Sequence, residues 1–169
     1  MLIELPTADE IDRLAMSTPT FEVRKFELDM GARKADLNYT PCKGQMVLVI
    51  RGPNGIALVR KKGGEGWSLP SCRIAPQEEV AKAAKRVARE ECGLILRSFD
   101  LAAMYDVVWR YSDLSIKRLH FVYACLTDDM DCLIGQRTDT ASARFFSKMP
   151  EAVLDDEIGR NAVADCSAK

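Results

Sequence analysis

The sequence predicts a mixed α/β domain, and three observations carry that expectation. Met46-Val47-Leu48-Val49-Ile50 is apolar at every position, as expected of a central strand covered on both faces. The alanine-rich segment Glu79 to Glu91 holds no Gly or Pro and is followed by Gly93, so it reads as a helix with a C-terminal cap. Two further segments, Leu101 to Tyr111 and Ile116 to Leu126, are strand-like and are joined by Ser112-Asp113-Leu114-Ser115. Strand, hairpin, loop, helix and further strands, in that order, indicate helices packed on a sheet.

From the N-terminus, Thr7-x-x-Glu10 reads as a capping box before a short helix with Ile11, Leu14 and Ala15 on one face. Phe21 to Met30 looks extended, and residues 31–43 are polar and irregular. Phe21, Val23, Phe26, Leu28 and Met30 are too apolar for a free tail. Residues 1–43 are therefore expected to be an N-terminal extension that packs on residues 44–169 as an extra sheet layer, or on a second copy as a dimerisation arm. Pro53-Asn54-Gly55 is a turn signal, and Ile56 to Arg60 returns as the hairpin partner of the central strand. Lys61 to Gly66 is a glycine-containing loop without the Gly-Lys-Ser/Thr of a P-loop. Ala143 to Phe146 reads as a short strand, and the acidic tail from Glu151 as weakly helical.

Composition removes several classes of function. The chain has 169 residues, enough for one domain with a core. A net charge of −1 and a pI of about 5.9 argue against bulk nucleic-acid binding. No apolar run is long enough for a membrane span, and Met1 to Pro6 lacks the basic region of a signal peptide, so a cytoplasmic protein is expected. The six cysteines are scattered without a C-x-x-C pair, which suits free thiols rather than zinc or a disulfide framework.

The most specific signal lies between Trp67 and Leu94. Trp67-Ser68-Leu69-Pro70-Ser71 precedes Cys72, then Glu78, then Arg86-Val87-Ala88-Arg89-Glu90-Glu91-Cys92-Gly93-Leu94. This resembles the box of the Nudix (MutT-like) hydrolases, G-x5-E-x7-R-E-U-x-E-E-x-G-U, in every spacing. Two identities depart from it: Cys72 stands for the opening Gly, and Val87 for the Glu after the Arg. The resemblance implies an α/β/α sandwich with a mixed sheet over about residues 44–150. It also implies divalent-metal-dependent hydrolysis of the pyrophosphate in a nucleoside-diphosphate derivative.

The same resemblance assigns roles. Positions 87, 90 and 91 fall on one arc of the helix at about 100° per residue. Carboxylates on that arc hold Mg²⁺ or Mn²⁺ in the family, so Glu90 and Glu91 are the expected metal ligands and catalytic acids, with the Cys72 carbonyl as a further ligand. Val87 cannot ligate, and its branched side chain favours burial. Glu78 and Arg86 match the pair that stiffens the loop before the helix and supports the site from behind. Asp139 stands six residues before Phe145, like an acidic residue of the family's later strand. It is either a base or extra ligand, or an ordinary turn Asp.

Ligand contacts are read from two further places. Tyr105, Val107, Trp109 and Tyr111 alternate onto one strand face, and Trp109 is the candidate for stacking a nucleotide base. Arg60, Lys61 and Lys62 end the hairpin, where Arg60 is expected to meet phosphate. His120, within an apolar strand, reads as a core histidine. The functional expectation is a pyrophosphohydrolase weakened by Val87. The alternative is a protein of the same fold that binds a nucleotide or a partner without catalysis.

Overall fold

A computed structural model describes residues 22–35, 42–64, 66–133 and 140–167. The strands are β1 (Glu22–Asp29), β2 (Gly44–Gly52), β3 (Gly55–Lys61), β4 (Ser71–Ile74), β5 (Ser98–Arg110), β6 (Ser115–Leu126) and β7 (Thr140–Phe146). The helices are α1 (Val80–Cys92), α2 (Glu151–Leu154) and α3 (Glu157–Ser167). The described strands form a seven-stranded mixed sheet in the order β1-β5-β6-β2-β3-β7, with β4 paired to β2 outside that path.

The expected central strand is central. Every residue from Met46 to Ile50 is buried. Met46, Leu48 and Ile50 point into the core that α1 covers, with Val80, Ala84, Val87 and Ala88. Val47 and Val49 point into the opposite core, which α3 covers with Ile158, Ala162 and Cys166. The result is helix, sheet, helix, as the apolar run requires. Helix α1 stops where the sequence puts its end. Gly93 takes φ 64°, and the amides of Gly93 and Leu94 bond back to the carbonyls of Arg89 and Ala88. A Cβ at Gly93 would lie 2.7 Å from the Leu133 carbonyl oxygen, so glycine is required there on two counts.

Two features differ from the sequence reading, and the tail is helical as expected. Residues 22–29 of the N-terminal extension are not a separate layer: β1 pairs in parallel with β5, from Glu22↔Ala103 to Asp29↔Arg110. The helix expected from Thr7 lies outside the described residues. Ser71–Ile74 is a strand, antiparallel to β2 from Val47↔Ser71 to Gly44↔Ile74. A segment of this length that mixes Cys and Arg gives no alternation to read, so only its pairing makes it a strand. The tail holds an ordered helix, α3, whose start is fixed by the Asp156 carboxylate accepting the Gly159 amide at 3.1 Å. No helix among the described residues is long and apolar enough to cross a membrane.

The added edge strand is anchored through one face. Phe26 is buried against Tyr105, with ring centroids 4.8 Å apart and an edge-on geometry. The Tyr105 hydroxyl donates to Asp165 of α3 at 2.6 Å, and Arg24 of β1 pairs with the same carboxylate at 3.2 Å. Burial and the Asp165 carboxylate both push the Tyr105 hydroxyl above the ordinary phenol range. The substitution Phe26→Ala is expected to lower the free energy of unfolding by about 3 kcal/mol, the low end of the cost of emptying a core Phe, because β1 is an edge strand. Urea denaturation measures this, and a loss below about 1 kcal/mol would mean that β1 is not part of the cooperative unit.

Candidate functional site

One half of the candidate site is built around Arg86, on the solvent-facing flank of α1. Its Nε and Nη2 donate to the two carboxylate oxygens of Glu78, at 2.6 and 3.0 Å. Nη2 also donates to the Arg73 carbonyl at 3.0 Å, and Nη1 to Glu90 Oε2 at 2.9 Å. The Cys72 sulfur lies 3.9 Å from Nη1. A planar guanidinium suits this arrangement because its fork meets a carboxylate in two bonds and leaves donors for other groups. The bond to Glu78, above all, holds the Arg86 pKa higher still than its ordinary value. Glu78 in turn accepts the Ala75 amide at 3.3 Å, so the loop between β4 and α1 is tied to the helix at both ends. The clamp expected between Glu78 and Arg86 is formed.

The arc of Val87, Glu90 and Glu91 divides in two. Val87 is fully buried in the core between α1 and the sheet. Glu91 is also 0% exposed, one step further round the same inward arc. Its carboxylate receives the Lys61 ammonium at 2.6 Å on each oxygen, and the Thr140 hydroxyl on Oε2 at 2.6 Å. Lys61 alternates with Ala57 and Val59, which face the α1 core, so the end of β3 aims it at the helix. Lys61 and Thr140 are partners across β3 and β7, where a register shift skips Ala141 and sets Thr140 beside Lys61.

These contacts decide how the site suits a divalent ion. Among the described residues, no group of three or more His, Cys, Asp or Glu side chains could hold a metal. Val87 offers no oxygen, Glu91 is bonded to an ammonium, and Glu90 to a guanidinium. Cys72 lies on β4, paired with Met46. No described non-glycine residue has a positive φ, so Cys72 stands in place of a glycine without backbone strain. Among the described residues the acid set, paired in this way, does not fit a divalent ion. Asp139 lies outside the described residues.

The second half is a cavity of about 350 Å³ on the opposite face of the sheet. Strand register assembles its floor. Leu28 pairs with Trp109 across β1 and β5, and Gln45 with His120 across β2 and β6, with Arg118 between them. Ser68, Leu69 and Ser71 form one wall, and Asp156, Ile158 and Gly159 at the start of α3 another. The Arg118 guanidinium lies 5.8 Å from the centre of the Trp109 ring, and the His120 ring 5.4 Å from it. Gln45 donates to the Ser71 hydroxyl at 2.6 Å, which fixes its amide. Burial pushes the His120 pKa down to about 4, so its imidazole is neutral at pH 7. The two halves stand back to back across β4, where Ser71 lines the cavity and its neighbour Cys72 packs on the α1 side.

Trp109 is in the cavity wall, and Arg60 and His120 differ in their relation to it. Arg60 does not line the cavity. It is exposed and stacks on Trp67, its guanidinium carbon 5.3 Å from the ring, because β3 alternation turns it away from Lys61. His120 is buried as expected, but its ring is cavity wall rather than plain core. Gln45 and Arg118 were missed. Their only signal is polarity at the ends of otherwise apolar strands, which shows a face boundary and not a cavity.

The NUDIX domain family matches residues 40–160. No curated protein matches the chain. Solved structures with the same fold include the NUDIX domain of Shewanella oneidensis NrtR complexed with ADP ribose. Its TM-score is 0.59 at 13% identity, over 79% of this chain and 92% of that one. A NUDIX hydrolase from Nitrosomonas europaea gives 0.58 at 21% identity, over 73% and 87%. The Bacillus subtilis pyrophosphohydrolase BsRppH, in a mutant form, gives 0.57 at 14% identity, over 79% and 87%.

The buried imidazole makes stability pH-dependent in a defined window. Its folded pKa of about 4 lies below the ordinary 6.5, so the unfolded chain takes up the proton first as pH falls. This contribution is complete above about pH 6.5 and is lost towards pH 4, at up to about 1.4 kcal/mol per pH unit. Denaturant unfolding between pH 7 and pH 4 should show His120→Gln losing less stability on acidification than the wild type. Parallel profiles would mean that His120 takes up its proton at the same pH in the folded protein as in the unfolded chain.

Proposed function

The chain belongs to the NUDIX domain family, and from that premise we propose that it binds a nucleoside-diphosphate derivative and hydrolyses its pyrophosphate bond slowly. The cavity beside β4 carries this reading, because it joins an aromatic face to fixed polar groups within one residue of the Arg86 junction. Its volume falls at the lower end of the range for small-molecule sites, and its wall sets Gln45, Ser68, Ser71, Arg118, His120 and Asp156 among apolar side chains, so it offers polar groups to orient a ligand. The ADP ribose in the Shewanella oneidensis NUDIX domain belongs to the same chemical class and supports the choice.

Each residue then has a task. Trp109 stacks on the base, a contact worth about 1–3 kcal/mol. Neutral His120 and the Gln45 amide, held by Ser71, offer hydrogen bonds to the nucleoside edge or its ribose. Arg118 supplies positive charge at the cavity and draws the diphosphate side of the ligand. The diphosphate passes the edge at β4 toward Glu90, which Arg86 holds in place. Nudix hydrolases generally use divalent metal ions. Val87 removes one carboxylate from that function, a loss of about 10²–10⁴ in rate, or about 3–5 kcal/mol in the barrier. The six free cysteines support a reducing, cytoplasmic setting.

Binding without turnover is the second reading, and the Lys61–Glu91 pair favours it, since that carboxylate already has its cation. A panel of nucleoside-diphosphate derivatives, assayed for binding and for phosphate-containing products with Mg²⁺ and Mn²⁺, separates the two. Trp109→Ala is expected to weaken binding by about tenfold. Val87→Glu is expected to speed hydrolysis by at least about tenfold while lowering stability, because it adds a carboxylate to a closed core. Binding with no product from either protein selects the second reading. A panel in which nothing binds removes the cavity from both.

A further inference from the structure

We infer that Lys61 is a built-in counter-ion that occupies the cation position at Glu91 and keeps divalent metal out of it. The inference deepens the reading of slow or absent turnover and rests on the α1 arc being the family's acid site. Glu91 is 0% exposed in its side chain, and a carboxylate so placed needs a cation or strong donors. Lys61 supplies the cation at 2.6 Å from each oxygen, and Thr140 adds a neutral donor at 2.6 Å.

These bonds use the oxygens that a metal would take. Mg²⁺ sits about 2.0–2.1 Å from its oxygens, so an ion on either one would lie against the ammonium. Two cations cannot share that position without strong repulsion in a partly desolvated site. Lys61 also covers the approach: its side chain is 34% exposed above a carboxylate that water does not reach. The strand geometry places both donors at the carboxylate. Lys61 and Thr140 are ladder partners on β3 and β7, and the skipped Ala141 is what brings the Thr140 hydroxyl to the same carboxylate. With Val87 filling the neighbouring position by packing, the arc carries an apolar group and an internal ion pair in place of an open acid site.

Mn²⁺ alone, titrated into the full-length chain, tests this by water-proton relaxation and by Tm. Wild type and Glu91→Gln are expected to give the same weak baseline. Lys61→Met, which keeps the side-chain length and removes the charge, should start at a lower Tm because the buried Glu91 carboxylate loses the ammonium. It should bind Mn²⁺ at least about tenfold more tightly than wild type and recover Tm as Mn²⁺ is added. Adding Glu91→Gln to Lys61→Met should abolish that gain. Wild-type binding that Glu91→Gln removes overturns the inference, and this comparison needs no Lys61 variant to fold. A folded Lys61→Met that binds Mn²⁺ no better than wild type overturns it as well. Neither measurement involves nucleotide, so a failure of the nucleotide reading and a failure of this one are told apart.

Discussion

The fold depends on hiding both faces of β2. Met46 to Ile50 leave no polar side to turn toward water, so the strand is stable only between two covered surfaces. Helix α1 supplies one cover and α3 the other. That requirement also divides the candidate site. Side chains on the α1 face, including Lys61, Val87 and Glu91, meet one another. Those on the α3 face, including Gln45, Trp109 and His120, meet across the register of β1, β5, β6 and β2. Strand β4, lying beside the first half of β2, touches both sides through adjacent residues, with Ser71 in the cavity wall and Cys72 against the α1 core.

Two charged clusters on α1 do different work because their solvent exposure differs. Arg86, Glu78 and Glu90 keep 23%, 18% and 26% of their side-chain surface exposed. Water still screens them, so their main effect is geometric: the guanidinium fixes the loop that leads into the helix. The Glu91 carboxylate has no such exposure, and its pairing with Lys61 is a condition for burying it at all. Acidic residues at a helix C-terminus also oppose the macrodipole. Arg86 and Lys61 offset that, each from a different side of the helix.

Much of the core was legible because it follows local rules. The apolar run of β2, the hairpin turn at Pro53-Asn54-Gly55 and the helix ending at Gly93 each rest on neighbours in sequence. The Glu78–Arg86 clamp was legible through spacing, since the positions bracket the loop-to-helix junction. The burial of Val87 followed from its side chain. The cavity was legible only at Trp109. His120 was legible as a buried histidine but not as a wall of the cavity, because burial next to a hollow resembles burial in a core, and a basic run at a strand end does not say which of Arg60 and Lys61 turns toward the helix.

The sequence by itself determined the fold family, the helix that carries the acid positions and the absence of a carboxylate at Val87, because these are properties of residue type and spacing along one segment. The tertiary structure decided what Glu91 pairs with, which face Lys61 occupies and where the cavity lies. Those outcomes depend on strand order and register between segments far apart in the chain. A single skipped residue, Ala141 opposite the end of β3, sets Thr140 beside Lys61 at the Glu91 carboxylate. Register is a long-range property, set by packing on both faces of the sheet, and no local pattern encodes it.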